Sequence, residues 1–106
     1  MNHRDFHPLF MQDIDAIEAH ILSVSEDARA ALKRIYELEI LMDRIAENPG
    51  SGTRLSGRLA GCLVRHGGRD FKIRIVFKPY IPEGVVLFLL ASFGGQNWST
   101  IAKERL

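Results

Sequence analysis

The stretch "ENPGSG", residues 47 to 52, ends one kind of periodicity and opens another. Pro49 lacks the amide hydrogen that a continuing helix needs, and Gly50 and Gly52 favour backbone turns, so no helix runs through it. Upstream, apolar residues recur every three or four positions. Downstream they recur every two. A chain divided in this way is a helical half joined to a sheet half, which is an α+β arrangement.

In the first half, Phe10, Ile14, Ile17 and Ile21 are spaced by four, three and four, one apolar stripe on a helix from about Pro8 to Val24. Pro8 suits a first helical turn. Ser23 and Glu26 in "SVSE" have capping-box spacing, and Ala28, Leu32, Ile35, Leu38, Met42 and Ile45 mark a second, longer stripe. The short connection predicts an antiparallel helical hairpin. "RDF", ahead of Pro8, is a candidate edge strand.

In the second half, "TRLSGRLAGCLVRH" leads through a Gly67–Gly68 turn into "RDFKIRIVFK", the pattern of a β-hairpin. Alternation places Phe71, Ile73, Ile75 and Phe77 on one face, with Asp70, Lys72, Arg74, Val76 and Lys78 on the other. "VVLFLLAS" is apolar at every position except its last, as expected of an inner strand covered on both faces. "NWSTIAKERL" reads as a short helix with Trp98 and Ile101 inward. The order (β)ααβββ plus this helix predicts an antiparallel twisted sheet, the helical hairpin on one face and the other face open.

At 106 residues and 46% hydrophobic, the chain supports one core, so residues 1–106 are read as a single domain. Its lone cysteine, Cys62, has apolar neighbours and reads as a buried thiol in a reducing compartment. The amino terminus lacks a signal-peptide core, and the longest apolar run, "VVLFLLA", is far short of the roughly 20 residues a spanning helix needs. A soluble cytoplasmic protein is expected, with no membrane association. His3, His7 and His20 lack metal-ligand spacing, and neither a phosphate loop nor a serine-nucleophile motif occurs, so no metal or cofactor is expected.

Charge is distributed unevenly. Residues 1–49 hold ten Asp/Glu against five Lys/Arg, whereas residues 53–78 hold seven Lys/Arg against Asp70 alone, although the formal net charge is only +1. Arg74 and Lys72 on one strand face, Arg65 or His66 from the partner strand and Arg69 at the turn would make a compact cationic patch, extended by Lys78. Like charges repel, so a cluster of this kind calls for a counter-charge from the acidic helices or from an anionic partner.

The segment "MDRIAENPGSGTRLSGRLAGCLVRHGGRDFKIRIVFKPYIPEGVVLFLLASFG" resembles the RelE/ParE family of toxins from bacterial type II toxin–antitoxin modules, also called plasmid stabilisation proteins. Leu55 and Gly57, then Arg74-Ile75-Val76-Phe77, match the family's steps, and "FHPLFMQDIDAIEAHI" is similar to its opening strand and helix. The resemblance spans roughly residues 4 to 105. It implies a cognate antitoxin as partner, in a homodimer or a toxin–antitoxin hetero-oligomer, and growth inhibition by one of two routes. RelE-like members cleave mRNA on the ribosome; ParE-like members poison DNA gyrase.

For the ribonuclease route, the resemblance puts Arg74 at the scissile phosphate, with Arg65, Arg69, Lys72 and Lys78 as RNA-positioning cations. The family's usual tail arginine and tyrosine are missing, their places falling near Gln96 or Asn97 and near Ile101 or Ala102. His66 or Tyr80 would have to substitute in proton transfer. The reading that follows is an mRNA-interferase-like toxin with an incomplete catalytic set. A noncatalytic gyrase inhibitor, or a nontoxic binding module on the same scaffold, is the alternative.

Overall fold

The computed structural model describes residues 2–106. Strand β1 (His3–Phe6) is followed by helices α1 (Phe10–Ser25) and α2 (Ala28–Glu47), a short strand β2 (Thr53–Arg54), a single 3-10 turn at Gly57–Leu59, and strands β3 (Leu63–Gly67), β4 (Ile73–Tyr80) and β5 (Val85–Phe93). Helix α3 (Trp98–Glu104) closes the chain. The five strands form one sheet in the order β1-β5-β4-β3-β2. Every neighbouring pair is antiparallel except β1 with β5, which is parallel because the helical hairpin lies between β1 and the rest of the sheet in sequence.

The expected helical hairpin is present with shifted ends. Helix α1 starts at Phe10 rather than Pro8 and continues through Ser25, where Glu26 takes a left-handed conformation (φ 54°) and ends it. Ser23 and Glu26 make no capping box. The Asp27 carboxylate instead accepts from the Arg29 amide at 2.9 Å and starts α2, a cap that a hydroxyl already bonded back to α1, as in Ser23 and Ser25, does not supply.

The main core lies between the hairpin and the sheet. Phe10, Ile17, Ile21, Leu38, Leu41 and Ile45 pack on Leu63, Ile73, Ile75, Phe77, Val86, Phe88 and Ala91. Each large side chain buried there contributes roughly 1.5–3 kcal/mol. Gly67 sits where α2 comes closest to β3: a Cβ at this position would lie 2.9 Å from the Leu41 methyls. Any side chain there would force the buried Leu41 to shift.

Phe71 departs from the expected alternation. It has a left-handed backbone (φ 59°), stands outside β4 and is 70% exposed, because Asp70 is drawn back toward α2 and the strand begins only at Ile73.

The second face of the sheet is not open throughout. Leu59, Cys62, Val64, Val76, Leu89, Leu90 and Ala102 form a smaller core there, with Leu55, Leu87, Trp98 and Ile101 against it. A register shift between Val76 and Phe77 lets Leu89 and Leu90 both face this side, while Phe88 and Ala91 on either flank face the helices. That bulge explains why "VVLFLLA" shows no alternation of its own. Burial pushes the Cys62 thiol pKa up, against a smaller opposing effect of the nearby Lys78 charge.

Candidate functional site

Three side chains from three adjacent strands stand in one row on the second face. His66 of β3 is opposite Arg74 of β4, and Arg74 is opposite Ser92 of β5. Ser92 is fully buried, and its hydroxyl oxygen accepts from Arg74 Nε at 3.2 Å. One terminal nitrogen of Arg74 donates to the Gly94 carbonyl in the loop after β5. A guanidinium carries five N–H groups, so these two bonds hold the fork in place and leave donors over for an incoming anion. Among the described residues Arg74 has no carboxylate partner. Burial lowers the Arg74 pKa somewhat, and it stays cationic. The same desolvation, and then the neighbouring Arg74 charge, lower the pKa of His66 below its usual 6.5. His66 is therefore neutral at pH 7 and able to accept a proton.

The remaining members of the expected cationic patch do not join this row. Arg65 pairs with Ile75, so its side chain goes to the helix side, where Nη1 donates to Ser51 Oγ at 2.7 Å. His66, not Arg65, is the β3 neighbour of Arg74. Arg69 lies 3.7 Å from Glu37 of α2 and is tied to the chain's own carboxylate. Lys72 precedes β4 and lines a cavity of about 550 Å³ with Asp13, His20, Phe93 and Gln96. Lys78 shares the face of Arg74 but lies four residues along the strand, about 13 Å away, with its ammonium 5.4 Å from the Tyr80 ring. Tyr80, six residues from Arg74, is about 20 Å distant and does not serve as its proton donor. Ile101 and Ala102, at the family's tail tyrosine position, belong to the smaller core.

The cause of this dispersal is a clamp on the turn between β3 and β4. Arg34 of α2 is 8% exposed, stacks 4.9 Å from the Phe93 ring and grips Asp70 with both terminal nitrogens, at 2.9 and 2.6 Å. Glu37 accepts from Arg34 at 3.2 Å. The hydrogen bonds from Arg34 hold the Asp70 carboxyl well below the usual carboxylate range. The single acid among the basic strands thus draws the turn onto the helices and carries Arg69 with it.

Sequence reasoning did not find Ser92, Arg34 or Arg105. Ser92 had left one signal, as the lone polar residue ending an apolar strand. Arg105 had left none. It forms a bidentate pair with Asp13 at 2.5 and 2.7 Å, buried on both sides, and donates to the Leu89 carbonyl at 2.8 Å.

Among the described residues no group of three or more His, Cys, Asp and Glu side chains is placed to hold a metal, and no helix is long and apolar enough to cross a membrane. Neither a protein-family model nor a curated protein sequence matches the chain. A solved structure described as the chromosomal ParDE TA system from P. aeruginosa contains a chain similar to this one, with a TM-score of 0.71 over 89% of this chain and 97% of that chain. The fold is RelE/ParE-like. Sequence identity over that match is 16%, so what the two share is the order and packing of elements rather than side chains. The RelE/ParE-like scaffold here puts Arg74 at the centre of its sheet, and His66 is the one titratable neighbour in its row.

Proposed function

We propose that this chain is the toxin half of a type II toxin–antitoxin pair, kept inactive by a cognate antitoxin protein, and that it acts by occupying a macromolecular target rather than by cleaving RNA. The carrying observation is the likeness in fold, over 89% of the chain, to a chain of the P. aeruginosa ParDE system. The noncatalytic branch is favoured by the site itself. Two of the five cations expected to grip RNA, Arg65 and Arg69, turn to the helix side, Tyr80 is too distant, and Ile101 and Ala102 pack in the core. DNA gyrase is the target this reading names by family resemblance.

The translation-directed reading rests on one specific observation. Arg74 has no carboxylate partner among the described residues and stands beside a neutral histidine, a pair suited to phosphate binding and proton abstraction from a ribose hydroxyl. Purified protein separates the two. With a ribosome-bound mRNA and, separately, a gyrase supercoiling reaction, the expected result is gyrase inhibition with intact mRNA. Cleavage that falls about 10²- to 10³-fold in Arg74→Ala would establish the ribonuclease instead. Absence of growth arrest on induction in a bacterial host would remove the toxin reading altogether.

A further inference from the structure

The cavity of about 550 Å³ that Lys72 borders lies between α1, the end of β5 and the loop leading to α3, on the helix side of the sheet and away from the row of Arg74, His66 and Ser92. Its volume is that of a small-molecule site. Asp13, Ala16, Ile17 and His20 follow one another at steps of three, one and three, which puts all four on one face of α1. Short side chains at Ala16 and Ala91 leave the space unfilled, and a Cβ at Gly94 or Gly95 would meet nothing within 4 Å. Ile17 and Phe93 supply an apolar wall. Arg34 lies 4.9 Å over the Phe93 ring and the His20 ring stands 6.3 Å from it, tilted by 53°, so the phenyl group is braced.

The polar lining carries uncompensated positive charge. Asp13 is its one carboxylate, and both oxygens are engaged, by Arg105 and by the Ala91 amide. Lys72 has no carboxylate at ion-pair distance among the described residues. Its backbone is fixed on both sides: the amide donates to Asp70 at 3.2 Å, and the carbonyl accepts from the Gly94 amide at 2.9 Å. The ammonium group is thus rooted at the cavity. The amides of Gly95 and Gln96, in the facing wall, have no backbone acceptor among the described residues.

From this juxtaposition we infer that the cavity is a binding site for a small aromatic anion, whose ring rests against Ile17 and Phe93 and whose carboxylate or phosphate is held by Lys72 and the Gly95 and Gln96 amides. The unpaired ammonium selects the negative charge, and free amides add donors to it. Phe93 selects a ring, since aromatic pairs gain from tilted or offset contact at about 4.5–7 Å. The site stands whether or not the chain is a toxin.

The test titrates the full isotope-labelled chain with phenyl phosphate and, separately, with benzoate, following amide resonances by NMR. Saturable shifts centred on Lys72, Gly95 and Gln96 are expected, with dissociation constants of roughly 10⁻⁵ to 10⁻³ M, a range open to ligands of about ten heavy atoms. Whichever probe binds more tightly names the head group. Lys72→Glu should weaken binding about tenfold or more, and Lys103→Glu on α3 should leave it unchanged. Ala16→Leu, which fills the cavity from an exposed position on α1, should abolish it, with an unchanged melting temperature showing that the variant folds. Inorganic phosphate binding as tightly as phenyl phosphate would reduce the site to a charge and overturn the inference. Benzylamine matching benzoate, indifference to Lys72→Glu, undiminished binding in folded Ala16→Leu, or shifts centred on His66 and Arg74 would each overturn it as well. So would a response still linear at about 10 mM, well beyond the expected range.

Discussion

At one border of the sheet, β1 pairs with only the first four residues of β5, and beyond them Asp13 accepts from the Ala91 amide while Arg105 donates to the Leu89 carbonyl. At the other border, β2 pairs with only two residues of β3, and no backbone group among the described residues bonds to the outward peptide groups of His66. Both borders have the same defect, a flanking strand too short to cover its neighbour. One is closed by a buried ion pair that reaches from α1 to the carboxy terminus. The other is left exposed among arginines. A small domain has reason to satisfy an edge that its own helices bury, whereas an edge facing water is satisfied by solvent until a partner arrives.

The comparison breaks first at the closed border. Arg105→Ala leaves Asp13 buried without its partner and the Leu89 carbonyl without its donor, and is expected to cost about 3–5 kcal/mol in urea unfolding. A smaller loss would mean that water already reaches this edge. At the open border, Gly67→Ala sets a methyl against Leu41, and a loss of roughly 1–3 kcal/mol is expected from the same measurement.

Asp70→Asn tests the clamp that pulls Arg69 to the open border. Because the folded state holds the Asp70 carboxyl below its ordinary value of 3.8, its contribution is complete above that pH and is lost as pH falls through the folded value. Wild type and Asp70→Asn should thus differ in midpoint at pH 7, with a difference that stays constant down to about pH 4 and shrinks steadily as the pH falls further toward the lowered folded value; a difference that did not shrink would place the effect in packing instead. Arg69→Ala, by contrast, removes an exposed contact 3.7 Å long and should change stability by less than about 1 kcal/mol. Finally, proton NMR should show His66 titrating below 6.5 and moving upward in Arg74→Met, since one of the two causes of its depression is then gone. An unmoved titration would separate the two side chains.

Legibility followed the range of the interactions. The helical stripes of Phe10, Ile17 and Ile21 and the buried alternation of Ile73, Ile75 and Phe77 were readable because period and burial are properties of neighbouring residues. Phe71 broke the same alternation because Asp70, one position earlier, answers to Arg34 from 36 residues away. The cationic run was readable as composition, but its division between two faces was not. Nor was the covering of the second face, which depends on α3 folding back over Val76 and Leu90.

The order of elements, the place where helix gives way to strand and the excess of positive charge in the second half were determined by the sequence alone, since each follows from local sterics or simple counting. Which cations meet, which acid holds them, and which of the two borders stays open were decided only in the tertiary structure. Those outcomes depend on pairing between residues distant in the chain, and a single register shift or one buried carboxylate redirects them.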